Sequence, residues 1–357
     1  MKLPYLSHDL PGIGGVLRAR DEDFVVDEIP AYAATGAGDH VFVRIEKRNL
    51  TTPFGIAGLA RALGIRDRDI GVAGMKDRHA VTTQWLSLPP PVTPEQALAV
   101  TVDNLRVLEA VRHGHKLRTG HLRGNRFKLV VRGVSVPDAL PRAQAILARL
   151  AEAPGAPNWF GEQRFGRAGD NAVRGRALLS SDRPGRGKQD RFLISALQSE
   201  LFNTWLTARL EVGLYRSALA GDVMHKRAGG MFDCTEPEVD TPRVQSGEVI
   251  PTGPMFGVSM RAPAAGSPAA EREAEILAAA GLSIEAFARV KAIAEGTRRD
   301  AAITVTDPAC SELDGTLVIE FALPAGAYAT VVMREIMKSR EAVETRGPSI
   351  DDAAEPT

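Results

Sequence analysis

The chemistry of this chain concentrates between Gly71 and Trp85, in the run Gly-Val-Ala-Gly-Met-Lys-Asp-Arg-His-Ala-Val-Thr-Thr-Gln-Trp. It places one carboxylate, Asp77, on a tight loop between two strands, with Lys76 and Arg78 on either side. Cations that close keep a carboxylate ionised and can also hold a phosphate. Taken alone, a Lys-Asp-Arg loop reads more readily as a solvated turn. Other reactive patterns are missing. The Gly185–Lys188 tract lacks the spacing and the Ser/Thr of a Walker A loop. There is no G-x-S-x-G elbow, no H-E-x-x-H pair and no zinc-deaminase signature. His113 and His115 stand two apart in a basic run and read as structural rather than as metal ligands. Pro11-Gly-Ile-Gly-Gly15 starts like a dinucleotide loop, but no complete fingerprint follows, so it reads as a turn.

The elements that position this loop are legible on both sides. Residues 23–29 mix β-branched and charged residues as a half-buried strand does, and His40 to Glu46 alternates with a period of two. Thr52-Pro53 reads as N-cap and first turn of a helix carrying Phe54, Ile56, Leu59, Ala60 and Leu63, which Gly64 stops. Ile70 to Ala73 is a short strand, and Val81 to Leu88 a longer one. Thr93-Pro94-Glu95-Gln96 has the spacing of a capping box. Phe127 to Arg132 is a strand, and Asp138 to Ala151 a helix. Pro154-Gly-Ala-Pro157 interrupts both periodicities and marks a boundary. Beyond it lie a helix from Arg191 to Leu210, a Gly-rich strand-like region over 221–260 and two helices broken at Gly281. Strand pattern returns after residue 303, followed by a helix through Val331, Met333 and Ile336. Residues 344–357 lack apolar periodicity and are expected to be disordered.

At 357 residues, 44% hydrophobic and 25% charged, the chain can bury a real core over about two domains. No apolar run approaches the ~18 residues of a membrane span, and the N-terminus has no secretory pattern. Two cysteines, Cys234 and Cys310, cannot build a disulfide framework or a multi-Cys zinc site, so a cytoplasmic setting is expected. No heptad or exposed apolar stripe demands a protein partner. Net charge is zero, yet its distribution is uneven. Arg112 to Arg132 holds seven Lys or Arg and three His with no acid, and Arg164 to Arg191 holds eight basic residues against three acidic. Such local excess is what a polyanion-binding surface looks like, although any one run reads equally as a solvated face.

The segment from 71 to 85 strongly resembles the signature of the TruD family of transfer-RNA pseudouridine synthases, A-G-x-K-D-[RK]-x-A-V-T-x-Q-W. The resemblance extends along the chain. Glu22 to Glu28 resembles E-D-F-x-V-x-E, and Arg112 to Phe127 resembles R-H-x-x-K-L-R-x-G-x-L-x-G-N-x-F. Pro157 to Gly166 is similar to P-N-[YFW]-F-G-x-Q-R-F-G, Ser195 to Asn203 to S-A-x-x-S-x-L-F-N, and Gly253 to Gly257 to G-P-[LM]-[FW]-G. Leu323 to Thr330 with Arg334-Glu335 resembles L-P-A-G-x-[FY]-A-T followed by R-E. Six or more matches in one order over about residues 15–340 are highly specific.

The resemblance implies an α+β fold: a catalytic pseudouridine-synthase domain with a mixed, largely antiparallel sheet, built from residues 1–154 and 304–345. An inserted α+β TRUD domain is expected over 155–303, and a disordered tail over 346–357. It implies isomerisation of a uridine to pseudouridine in transfer RNA, at position 13, without metal or organic cofactor. Asp77 would be the catalytic carboxylate, acting as a nucleophile at C1′ or at the base, or as an anionic stabiliser. Phe24, Asn125 and Tyr328 would surround the uracil, with Phe127 packing behind, and Arg18 and Lys76 would serve substrate binding. The basic tracts, including Gln163 to Arg167, would face RNA. Two positions depart from the family pattern. Arg18 stands where Lys is frequent, and Tyr328 where Phe is common, which adds a hydroxyl able to hydrogen-bond or move a proton. The rival activities on the same scaffold are non-catalytic RNA binding and release of free uracil.

Overall fold

A computed structural model of the chain describes residues 3–166, 168–181 and 187–339. Arg167 and the tail at 346–357 therefore lie outside the described residues. Two compact units emerge: one of Gly12–Gln144, Thr306–Ala329 and the residues from Ile336, the other of the residues up to Pro11, Ala145–Val305 and Thr330–Glu335.

The first stretch runs β1 (Val16–Leu17), β2 (Phe24–Pro30), β3 (His40–Arg48), α1 (Thr52–Leu63), β4 (Gly71–Val72), β5 (Val81–Leu88), α2 (Pro94–Leu98), β6 (Leu105–His113), β7 (Leu122–Arg132) and α3 (Ala139–Ala151). The second unit continues with β8 (Ala156–Pro157), α4 (Asn171–Ser180), α5 (Gly187–Glu211), β9 (Val223–Lys226), β10 (Met231–Asp233), α6 (Pro237–Gln245) and β11 (Val249–Met255). It closes with α7 (Pro268–Ala279), β12 (Thr297–Asp300) and β13 (Ala302–Ile303). The chain then returns as β14 (Thr306–Leu313), β15 (Thr316–Pro324) and α8 (Ala329–Met337).

Among the described residues, nine strands form one sheet of order β14-β15-β7-β2-β5-β3-β6, with β1 paired to β7 and β4 to β5. Only β2 and β5 run parallel, so the fold is α+β with a mixed, largely antiparallel sheet. Val41, Val43 and Ile45 of β3 and Leu86 and Leu88 of β5 form a core with Leu59 and Ala60 of α1 and Ala97 of α2. The period-two pattern in the sequence is what lays these side chains on one face. The second unit carries a four-stranded sheet of order β10-β9-β11-β12 and a separate β8–β13 pair.

Some elements differ from the sequence reading. Thr51, not Thr52, caps α1, accepting from Phe54 N at 3.4 Å, and Gly64 ends the helix with a φ of 67°. β7 begins at Leu122 rather than Phe127, so Gly124 and Asn125 lie in the ladder and not in a turn. β6 escaped because it pairs on one side alone and its half-exposed residues do not alternate cleanly. α6 escaped because Pro237 and Pro242 hide its pattern.

Gly124 sits between β2 and β15, where a Cβ would lie 2.0 Å from Leu323 O. Gly124→Ala must therefore part β7 from β15. A loss of about 1–3 kcal/mol is expected in chemical denaturation. An unchanged midpoint would show that the strand yields without cost.

Candidate active site

The Asp77 loop is set by a division of labour along one edge of β5. β4 pairs with Leu86 and Ser87, whereas β2 pairs in parallel with Val81, Thr82 and Thr83. The chain between β4 and β5 thus turns beside the start of β2. Three side chains and one backbone amide hold its backbone. Lys47, fully buried on β3, donates from Nζ to Leu50 O at 2.6 Å, Asp77 O at 2.7 Å and Lys76 O at 3.3 Å. Thr52 Oγ1 accepts from Lys76 N at 3.0 Å and donates to Gln84 Oε1 at 2.9 Å. Gln84 Nε2 in turn donates to Gly74 O at 3.3 Å, and Gly120 N to Ala73 O at 2.8 Å. Thr52 is free for this contact because the cap has moved to Thr51.

Where β2 parts from β5, the Glu28 carboxylate fills the gap. It accepts from Trp85 N at 3.1 Å and from Lys76 Nζ at 2.6 Å, with the two ionic side chains 1% and 5% exposed. The neighbours of Asp77 therefore do not supply its cation, contrary to the sequence reading. Lys76 turns inward to the buried Glu28, and Arg78 Nε bonds Asn49 Oδ1 at 3.3 Å. A buried carboxylate requires a cation more urgently than a half-exposed one does.

Arg18 takes that role. Its Nη2 meets Asp77 Oδ2 at 2.6 Å, across 59 residues of chain. Arg18 is 10% exposed and Asp77 47% exposed. The guanidinium carbon lies 3.7 Å from the centroid of the Phe24 ring, a close cation–π contact. Arg18 follows β1 with a φ of 59°, so the backbone turns there and aims the side chain at the loop. Phe127 meets Phe24 edge to face at 6.3 Å and lies 5.6 Å from Phe321, so both expected aromatic residues are buried.

Four of the expected residues, Arg18, Phe24, Asp77 and Phe127, are linked by direct contacts. Asn125 and Tyr328 are placed further along. Phe24 faces Leu129 and Asn125 faces Glu28, so Phe24 and Asn125 share one face of the sheet roughly 13 Å apart along the strands. Asn125 Oδ1 is buried with no hydrogen-bond partner among the described residues. The turn leaving β15 opens beside it, with Pro324 opposite Gly124 and Ala325 N bonded to Arg123 O at 3.0 Å. Tyr328 is half-buried at the end of that turn.

The basic tract divides into used and outward-facing charge. Arg132 grips Asp23 with three contacts of 2.7–2.9 Å, and Arg126 pairs with Asp307 at 2.8 Å. Arg112, Arg118 and Arg123 are exposed. The histidines of the tract pack around Tyr32, whose hydroxyl lies 2.6 Å from His121 Nδ1, while His113 and His115 meet at 3.2 Å. Burial, then the neighbouring His115 and His40, hold His113 below the usual imidazole range.

In the second unit the matched motifs brace the fold. Asn203 of α5 bonds both the N and the O of Phe160 at 2.9 Å, and Asn158 Nδ2 bonds Asp300 O at 2.9 Å. Gly253 to Met255, within the region read as strand-like, lie in β11 against β12. A Cβ on Gly253 would come within 2.4 Å of the Trp205 ring. Sequence reasoning gave Lys47, Thr52 and Gln84 no part in the site. A lysine at an inward register of an apolar strand is the signal that could have found the first of them.

Fold and site together are those of an α+β protein with one half-exposed carboxylate held by an arginine. A solved structure from Methanosarcina mazei, described as a tRNA pseudouridine synthase D (TruD), superposes with a TM-score of 0.78 over 95% of this chain and 99% of that one. At 24% identity this likeness concerns the fold alone. The family model for tRNA pseudouridine synthase D (TruD) matches residues 1–185 and 186–336. A tRNA pseudouridine synthase D of Anaeromyxobacter dehalogenans is 51% identical over 345 residues, covering 94% of this chain and 97% of its own. One from Thermus thermophilus is 40% identical over 339 residues, covering 94% and 92%. The chain belongs to the tRNA pseudouridine synthase D (TruD) family.

Proposed function

We propose that this protein isomerises a uridine of transfer RNA to pseudouridine, at position 13, with Asp77 as the catalytic carboxylate and no cofactor. Family membership supports the reaction, and the position rests on the resemblance to bacterial members. The observation that carries the role of Asp77 is its carboxylate, nearly half exposed yet fixed through one oxygen by Arg18. Such a group is reachable by a splayed nucleotide and is aimed before it arrives. The reaction breaks the C1′–N1 bond, turns the base and joins C5 to C1′. N1 gains a proton and C5 gives one up, so the product has the atoms of the substrate.

Phe24, backed by Phe127, carries the Arg18 guanidinium on its ring and is proposed to offer that aromatic face to the base when Arg18 turns aside. Asn125, with its unpartnered Oδ1, and Tyr328 are proposed to read the polar edge of the base. Arg18 holds the Asp77 carboxylate in place and can turn to a phosphate once RNA is bound. Lys76 contributes through Glu28 rather than at the substrate. Residues 1–154 and 304–345, which carry the nine-stranded sheet, are proposed as the catalytic domain and 155–303 as the family's insertion. Two unpaired cysteines fit a reducing cytoplasm.

The test is a transfer-RNA transcript labelled with tritium at uridine C5, since pseudouridine formation releases that label. Stoichiometric release with pseudouridine at position 13 is expected. Free uracil without pseudouridine would favour a glycosidase, and binding without either product a non-catalytic RNA-binding protein. In the same assays Arg118→Ala and Arg123→Ala should each weaken RNA binding. Removing one phosphate-binding cation should lower the slope of log affinity against log salt by roughly 0.7–0.9. Unchanged slopes in both variants would put the RNA on another surface.

A further inference from the structure

We infer that Lys47 is the positioning residue of the Asp77 loop, a role that rests on the reading of Asp77 as the catalytic carboxylate. Lys47 lies on β3 at the same inward register as Val43 and Ile45, opposite Thr82 of β5. An apolar residue there would simply extend the core. The chain instead buries an ammonium completely and directs it at three backbone carbonyls, those of Leu50, Lys76 and Asp77. An ammonium is a compact head with three donors, and three converging carbonyls match it.

Two of those carbonyls belong to consecutive residues of the loop, one of them to Asp77 itself. Turning both inward fixes the peptide planes on either side of the Asp77 Cα. The Cα–Cβ bond must then point outward, toward Arg18. Thr52, holding Lys76 N, fixes the preceding peptide, between Met75 and Lys76. Lys47 is thus a link between the rigid centre of the sheet and the direction of one exposed carboxylate. Its head is fully buried against the backbone, where no phosphate can reach it, so RNA binding does not depend on it.

The experiment compares full-length wild type, Lys47→Met and Lys47→Arg on the same transcript. It reads the single-turnover rate at saturating enzyme, the Kd for RNA and the thermal midpoint. Methionine fills the volume without donors. Its rate is expected to fall about 10²-fold, the scale of a misplacement near 1 Å, with Kd within about two-fold of wild type. Lys47→Arg, which keeps charge and donors in another shape, is expected to recover part of the rate. A folded Lys47→Met with the wild-type rate overturns the inference. So does a loss that lies wholly in Kd. Should Lys47→Met fail to fold, Lys47→Gln, which keeps one donor, carries the same expectation and the same two ways to fail. Wild type that forms no pseudouridine would strike the proposed reaction itself, a result distinct from either.

Discussion

Asp77→Asn is expected to give a folded protein that binds transfer RNA and forms no detectable pseudouridine. The amide keeps the shape of the side chain but removes its charge, so it can neither attack carbon nor stabilise a developing cation. Arg18 still stacks on Phe24, and the backbone bonds from Lys47 and Thr52 do not involve the carboxylate. Stability should therefore change by no more than about 1 kcal/mol, as for other half-exposed ion pairs. RNA contacts spread over exposed basic residues persist. The rate should fall by about 10⁴-fold or more, the scale seen when a nucleophile is removed. Tritium release and product mapping measure the rate, and filter binding the affinity. Substantial turnover by the Asn variant would remove Asp77 from the mechanism.

Lys76→Met is the substitution expected to cost the most stability. It leaves Glu28, 1% exposed, with the Trp85 amide as its remaining bonded donor and no cation among the described residues. Uncompensated buried charges of this kind cost about 3–5 kcal/mol. The damage should centre where β2 parts from β5, so exchange of the Trp85 amide hydrogen should accelerate before that of the second unit. Adding Glu28→Gln should return much of the loss, because the double variant no longer buries an ion. A single variant within about 1 kcal/mol of wild type would show that the pair is hydrated in solution.

Strands with clean alternation, β3 and β5, were legible from sequence, as were α1 and α2, whose proline and threonine signals mark their starts. β6 was not, because an edge strand with one partner has no strict inward face to specify. Asp77 was legible because its loop is flanked by readable strands and carries a distinctive motif. Arg18 was named through the resemblance for substrate binding, not as the partner of Asp77. Nothing local to Arg18 announces a contact 59 residues away, and the adjacent Lys76 and Arg78 were the natural candidates. Glu28 decided otherwise: one buried acid redirects Lys76, and that is a tertiary fact. Lys47 lay just past the end of the alternation that was read, where its charge at an inward register breaks the apolar pattern. The motifs of the second unit were legible as motifs but not as supports, since Asn203 finds Phe160 only once the fold is made.

The order in which the strands are synthesised has its own consequence. β7 carries Asn125 and needs two neighbours, β2 on one side and β15 on the other. The ribosome delivers β2 and β7 early but β15 only after all of Ala145–Val305. At ordinary elongation rates that interval is on the order of ten seconds, far longer than hairpin formation. Throughout it the edge of β7 that β15 will cover is an open strand edge, able to pair with the wrong chain. The proposed site is therefore completed only after β15 and the turn to Tyr328 have emerged.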